Sequence, residues 1–166
     1  MDKIVLFKYK YYSMMVVAAL LLLVLGAKAI NMSIELSETI NEYKALYLEV
    51  TEEFDYIYID PLKTYDQEEI VKIVTDLDLR NEEIAHDINS LHQYIIELSD
   101  VSYLKRSHWG RKYYPIADSY YSLQSLVSLS DKYRKPVDYN NWVQDSDTLR
   151  ECFLKIQIDR YNFGKK

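Results

Sequence analysis

A chain of 166 residues has room for one domain plus a short targeting or anchoring segment, and its net charge of −6 argues against nucleic acid as a partner. Three glycines (Gly26, Gly110, Gly164) and three prolines (Pro61, Pro115, Pro136) fall well below ordinary usage of about 7% and 5%. So few turn formers favour long helices over sheets and exclude the glycine-rich loops that cradle phosphates, while the single Cys152 excludes an intrachain disulfide or a cysteine metal cage.

Residues 1–12 form a basic n-region carrying Lys3, Lys8 and Lys10, and residues 13–29 are a membrane anchor or a signal peptide. Nothing charged lies between Tyr11 and Ala27. That length approaches the minimum of about 17 residues for a helical span. Ala27-Lys28-Ala29 matches the small-x-small pattern of signal-peptidase sites and would leave Ile30 as the new first residue. Tyr9, Tyr11 and Tyr12 interleave with Lys8 and Lys10 as an interfacial belt would, which favours a retained single-pass anchor over a cleaved peptide. Basic residues precede the run and Glu35, Glu38 and Glu42 follow it, so the expected orientation places the N-terminus in the cytoplasm and the rest outside it. With cleavage after Ala29, the remainder would be secreted or periplasmic instead.

Residues 30–102 read as an acidic helical hairpin. Leu36, Ile40, Tyr43, Tyr47, Val50, Phe54 and Ile57 alternate spacings of four and three, a coiled-coil heptad stripe on a helix expected over about 31–58. Pro61 is expected to end it. The stripe resumes through Ile70, Val74, Leu77, Asn81, Ile84, Ile88, Leu91, Ile95 and Leu98, predicting a second long helix with Asn81 at an a position, either as a buried register residue or as a partly solvated one. A short break between two striped helices predicts an antiparallel pair, and Leu46, Val71, Ile73 and Val101 widen the apolar face enough to call for further helices. Four basic residues face eighteen acidic ones from Ile30 to Ser102, a balance of −14, whereas Tyr103 to Lys135 carries seven basic and two acidic, a balance of +5. The contrast suggests that the basic segment, or a basic partner, covers the acidic hairpin.

Residues 103–166 combine that basic, aromatic segment with two shorter helices that complete a small bundle. Pro115 suits the first turn of one helix, with Ile116, Tyr120, Leu123 and Val127 on one face and Pro136 after its end. Thr148 to Glu151, "TLRE", reads as a capping box opening the last helix along Leu149, Phe153 and Ile156, which places Cys152 on an apolar face as a small buried hydrophobe. The expected fold is all-α: an N-terminal membrane helix or signal peptide, a long antiparallel hairpin and two shorter helices.

Motifs for chemistry are weak. Glu83 and His86 form one E-x-x-H, but His86 falls opposite Ile84 and Ile88, and neither His92 nor His108 has a second such pair. "DLDLRNEE" from Asp76 begins like a calcium loop, yet Arg80 replaces an oxygen ligand and the turn glycine is missing, so helix is expected there. Ser102 and Lys105 form an isolated S-x-x-K. No residue is assigned a catalytic, cofactor-binding or metal-ligating role. Seventeen tyrosines are the compositional oddity, and an apolar body with a polar tip suits interfaces. The candidate interface residues are Arg106, Trp109, Arg111, Tyr113, Tyr114, Tyr120 and Tyr121. The expectation is a non-enzymatic, membrane-anchored accessory or scaffold subunit whose partners are proteins, a larger membrane complex or a second copy of itself. The alternative is a secreted or periplasmic helical sensor that binds a small ligand.

Overall fold

The computed structural model describes residues 3–104, 110–134 and 141–165, and the surroundings of side chains over 11–100, 112–134 and 141–165. The fold is all-α, with no strand among the described residues. In chain order the helices are α1 (Lys3–Glu52), α2 (Gln67–Asp76), α3 (Glu82–Leu104), α4 (Gly110–Tyr133) and α5 (Trp142–Gly164). The chain divides into two units, Met1–Glu38 and Thr39–Lys166.

In the N-terminal unit every side chain from Tyr11 to Asn31 is exposed, including Leu22 and Leu23 at 70%. This is the one helix among the described residues long and apolar enough to cross a membrane. It is apolar on all sides, as a lipid-facing span or a signal sequence is and a helix packed on a soluble core is not.

The second unit is a bundle whose core follows the heptad stripe. Ile40, Tyr43, Tyr47, Val50 and Phe54 are all buried. The Tyr43 and Tyr47 rings stack 6.0 Å apart, and Phe163 of α5 meets both edge-on at 6.4 and 5.4 Å. Such aromatic contacts add to the burial of large apolar surface. The Tyr94 hydroxyl of α3 bonds the Glu42 carboxylate, while Asn81, Glu83 and Asp87 lie beside Val50 and Glu53, so α3 runs antiparallel to this part of α1. On the other side of α3, the His92 ring is 2.7 Å from the Tyr120 hydroxyl and Arg80 pairs with Asp131, which sets α3 and α4 antiparallel as well. Ile70 and Val74 of α2 complete the interior, and α2 packs on both α4 and α5.

The hairpin differs from the expected one at the end of its first arm and within its second. α1 stops at Glu52 rather than near Tyr58. The buried Thr51 hydroxyl donates to Tyr47 O at 2.6 Å, and the chain then tightens into turns in which Phe54, Asp55 and Ile57 N–H reach back three residues. Back-bonding by Thr competes with the helical ladder, and i→i+3 bonding ends it before Pro61 is reached. Residues 77–81, expected to be helical, form a turn in which Asp78 has φ 41°. Leu77 and Leu79 on either side of it are both buried. Asn81 is therefore exposed rather than at a core a position, and its side-chain oxygen accepts from Glu83 N at 3.1 Å to cap α3. The second arm is two helices, not one.

Two boundaries in the C-terminal third also move. Pro115 lies inside α4 rather than in its first turn, where its missing N–H costs one bond, to Arg111 O, with little more than a turn of helix before it. α5 opens at Trp142, so Thr148 is interior and its hydroxyl donates to Gln144 O at 2.9 Å instead of capping. The earlier start buries Asp145 and Ser146 where they have partners: Asp145 accepts from Tyr133 at 2.7 Å, and Ser146 Oγ accepts from Tyr65 N at 2.7 Å. That second bond, with Arg150 donating to Pro61 O at 2.9 Å, ties the 53–66 connection onto α5. Pro136, expected to follow the end of α4, lies outside the described residues; α4 ends at Tyr133.

Candidate interaction groove

α4 and α5 form an antiparallel pair with a constant register. Lys132 Nζ is 2.5 Å from Asp145 Oδ2, Ser125 lies beside Cys152, and Asp118 is on the side of Asp159. Between the two helices runs a groove of about 560 Å³, open along its length. α4 contributes Asp118, Tyr121, Ser122 and Ser125. α5 contributes Thr148, Glu151, Cys152, Leu154, Lys155 and Ile158.

The groove exists because α5 carries two apolar stripes. Leu149, Cys152, Phe153 and Ile156 point into the core. Leu154, Ile158 and Tyr161, spaced four and three apart, form a second stripe that stays 49%, 47% and 65% exposed. Across from it, Tyr121 and Tyr114 are also exposed, one heptad apart on α4. Apolar side chains at helical spacing on two neighbouring helices make a continuous face, whereas isolated exposed hydrophobes mean little.

The charges around the groove are not balanced. Lys155 Nζ is held by Asp159 Oδ1 at 2.6 Å, leaving Asp118 and Glu151 at the groove without an ion-pair partner among the described residues. Burial raises the Asp159 carboxyl above its ordinary range, against the lowering effect of the Lys155 hydrogen bond. The same desolvation pushes the Cys152 thiol up to about 11. Cys152 is thus a protonated, buried thiol rather than a nucleophile.

The candidate interface residues scatter. Arg106 and Trp109 lie outside the described residues, and Arg111 belongs to the first turn of α4. Tyr113 is half-buried against Tyr114, with ring centroids 6.0 Å apart, and Tyr114 is exposed. Tyr120 is interior, bonded to His92, whereas Tyr121 lines the groove. Among the described candidates, Tyr114 and Tyr121 join the α4–α5 face. Leu154, Ile158 and Tyr161 share that face, and their own four-three spacing marks a second helical stripe.

Elsewhere the polar groups serve the bundle. His86 is exposed, with its Nδ1 3.3 Å from Asp87, and Glu83 lines a smaller groove with Glu49 and Glu53. His108 and Lys105 lie outside the described residues. Among the described residues no group of three His, Cys, Asp or Glu side chains is arranged to hold a metal. Arg160 of α5, outside the basic 103–135 segment, forms a two-bond ion pair with Asp55, whereas Lys132 of that segment pairs with Asp145 of α5 and not with the acidic hairpin. No protein-family model, curated protein or solved structure matches the chain.

Proposed function

We propose that this protein is a membrane-anchored, non-enzymatic accessory or scaffold subunit that holds a small helical bundle at the extracytoplasmic face of a membrane and engages other proteins through it. The observation that carries the reading is the fully exposed apolar run of α1, from Tyr11 to Ile30. Burial in a bilayer removes that surface from water, and a belt of Tyr11 and Tyr12 beside Lys10 suits the headgroup region. Lysines before the span and glutamates after it favour the N-terminus on the cytoplasmic side. The exposed α4–α5 face supplies a surface for partners.

Intact mass and native mass of the full chain, extracted from its membrane in mild detergent, test this. The expected result is an uncleaved N-terminus and a stoichiometric protein partner. A mature chain beginning at Ile30 would remove the anchor, and a monomer carrying a bound metabolite would favour a sensor.

A further inference from the structure

We infer that the groove between α4 and α5 docks a basic amphipathic helix of a partner protein, with the partner's apolar edge on Tyr121, Leu154 and Ile158 and its Lys or Arg residues on Asp118 and Glu151. This rests on the reading of the protein as a partner-binding subunit and names the chemistry of the partner.

Shape points to a helix. The α5 side of the groove runs from Thr148 to Ile158, which at about 1.5 Å per residue is roughly 15 Å, about three turns of a facing helix. A trough between two helices presents ridges at i, i+3 and i+4 that accept the same spacing from a third helix. Charge selects its sign. Among the described residues the one cation at the groove, Lys155, is neutralised by the buried Asp159, so the free charges there are the carboxylates of Asp118 and Glu151, one on each wall. They flank an apolar floor, the complement of a helix whose apolar stripe is bordered by basic residues. Ser122, Ser125 and Thr148 add hydroxyls along the rim.

Other occupants fit less well. A two-fold pairing with a second copy brings Asp118 and Glu151 against the same carboxylates of its mate. An anionic lipid surface meets the same repulsion. A small ligand needs most of its surface enclosed, and this groove is open along its length.

The test uses the full chain in detergent and two fluorescent synthetic helical peptides of about 14 residues, long enough to span the groove. Both carry leucines at i, i+3 and i+7; one is flanked by lysines, the other by glutamates. Anisotropy is expected to report binding of the lysine peptide that weakens with salt and falls about tenfold in the Asp118→Asn, Glu151→Gln double variant. The charge-reversed variant Asp118→Lys, Glu151→Lys should instead bind the glutamate peptide. Both positions are exposed, so melting curves should stay unchanged, and Ile158→Ser, also exposed, provides an apolar variant that weakens binding of either peptide. Equal binding of both peptides by the wild-type chain, no binding of either, or a dimer that dissociates in the charge-neutral variant would each overturn the inference. If the double variant still co-purifies with its native partner at full yield, the groove is the wrong surface while the subunit reading stands. If the peptides discriminate but no partner co-purifies, the groove chemistry stands and the subunit reading falls.

Discussion

Tyr43 and Tyr47 occupy neighbouring positions of one stripe, and both rings are fully buried, yet their hydroxyls differ. Tyr43 donates to Ile116 O at 3.1 Å and lies 2.8 Å from Ser119 Oγ, whereas the Tyr47 hydroxyl is buried without a partner among the described residues. Burial raises both hydroxyls well above the ordinary tyrosine value, so each is a neutral phenol. Removing a satisfied hydroxyl loses its net bond, while removing an unsatisfied one relieves a desolvation penalty. Tyr43→Phe should therefore lower stability by about 1 kcal/mol, and Tyr47→Phe should leave it unchanged or raise it, as read from urea denaturation midpoints. Equal losses from both would mean that the two hydroxyls are equally well bonded. That these tyrosines face the core was legible from their heptad spacing. The partners of the Tyr43 hydroxyl were not, because Ser119 and Ile116 lie more than 70 residues away.

At the scale of elements, the turn between α2 and α3 shows pattern and sterics in conflict. A strict four-three stripe continues through Asn81, but the chain leaves the helix between the buried Leu77 and Leu79, where Asp78 adopts φ 41°. Left-handed backbone strains a residue with a Cβ, less for Asp than for β-branched residues, and not for Gly. Asp78→Gly should thus raise the melting temperature by the equivalent of a few tenths to about 1 kcal/mol, and Asp78→Val should lower it by more than about 1 kcal/mol. A neutral or favourable Asp78→Val would argue for a continuous helix there. The start of α2 was equally local in origin, since Asp66 and Glu69 form a reciprocal capping box, with Asp66 Oδ1 accepting from Glu69 N at 2.9 Å. By contrast, the "TLRE" box does not form. Four-residue capping signals are common, and the burial of Asp145 and Ser146 decides where α5 begins.

For the whole molecule, acidic excess makes stability depend on pH through two carboxylates that act in opposite senses. Hydrogen bonding to Arg160 lowers Asp55, so its contribution is present above the unfolded value and is lost as pH falls through the folded one. Burial raises Asp159 above its ordinary 3.8, so its contribution is full below that value and is lost as pH rises through the folded one. Asp159→Asn keeps an acceptor for Lys155 while removing the buried charge. Its melting temperature should exceed that of the wild type between about pH 5 and 7, and the two curves should converge as pH falls toward 3.8. A constant offset across that range would show that the side chain acts through packing and not through its charge.

The sequence by itself determined the helical class, the apolar N-terminal run and the inward face of each long helix, because few glycines, an uninterrupted apolar stretch and a four-three spacing are properties of neighbouring residues. Leu91, Leu98, Leu123 and Leu149 are fully buried where those spacings place them. Tertiary structure alone decided where helices stop and which surface remains open. Glu52 ends α1 short of Pro61, His92 becomes the partner of the Tyr120 hydroxyl, and Leu154, Ile158 and Tyr161 are left outside because the inner stripe of α5 already fills the core. Which surface stays open depends on groups brought together from distant parts of the chain, because a helix with two apolar faces can bury only the one its neighbours reach.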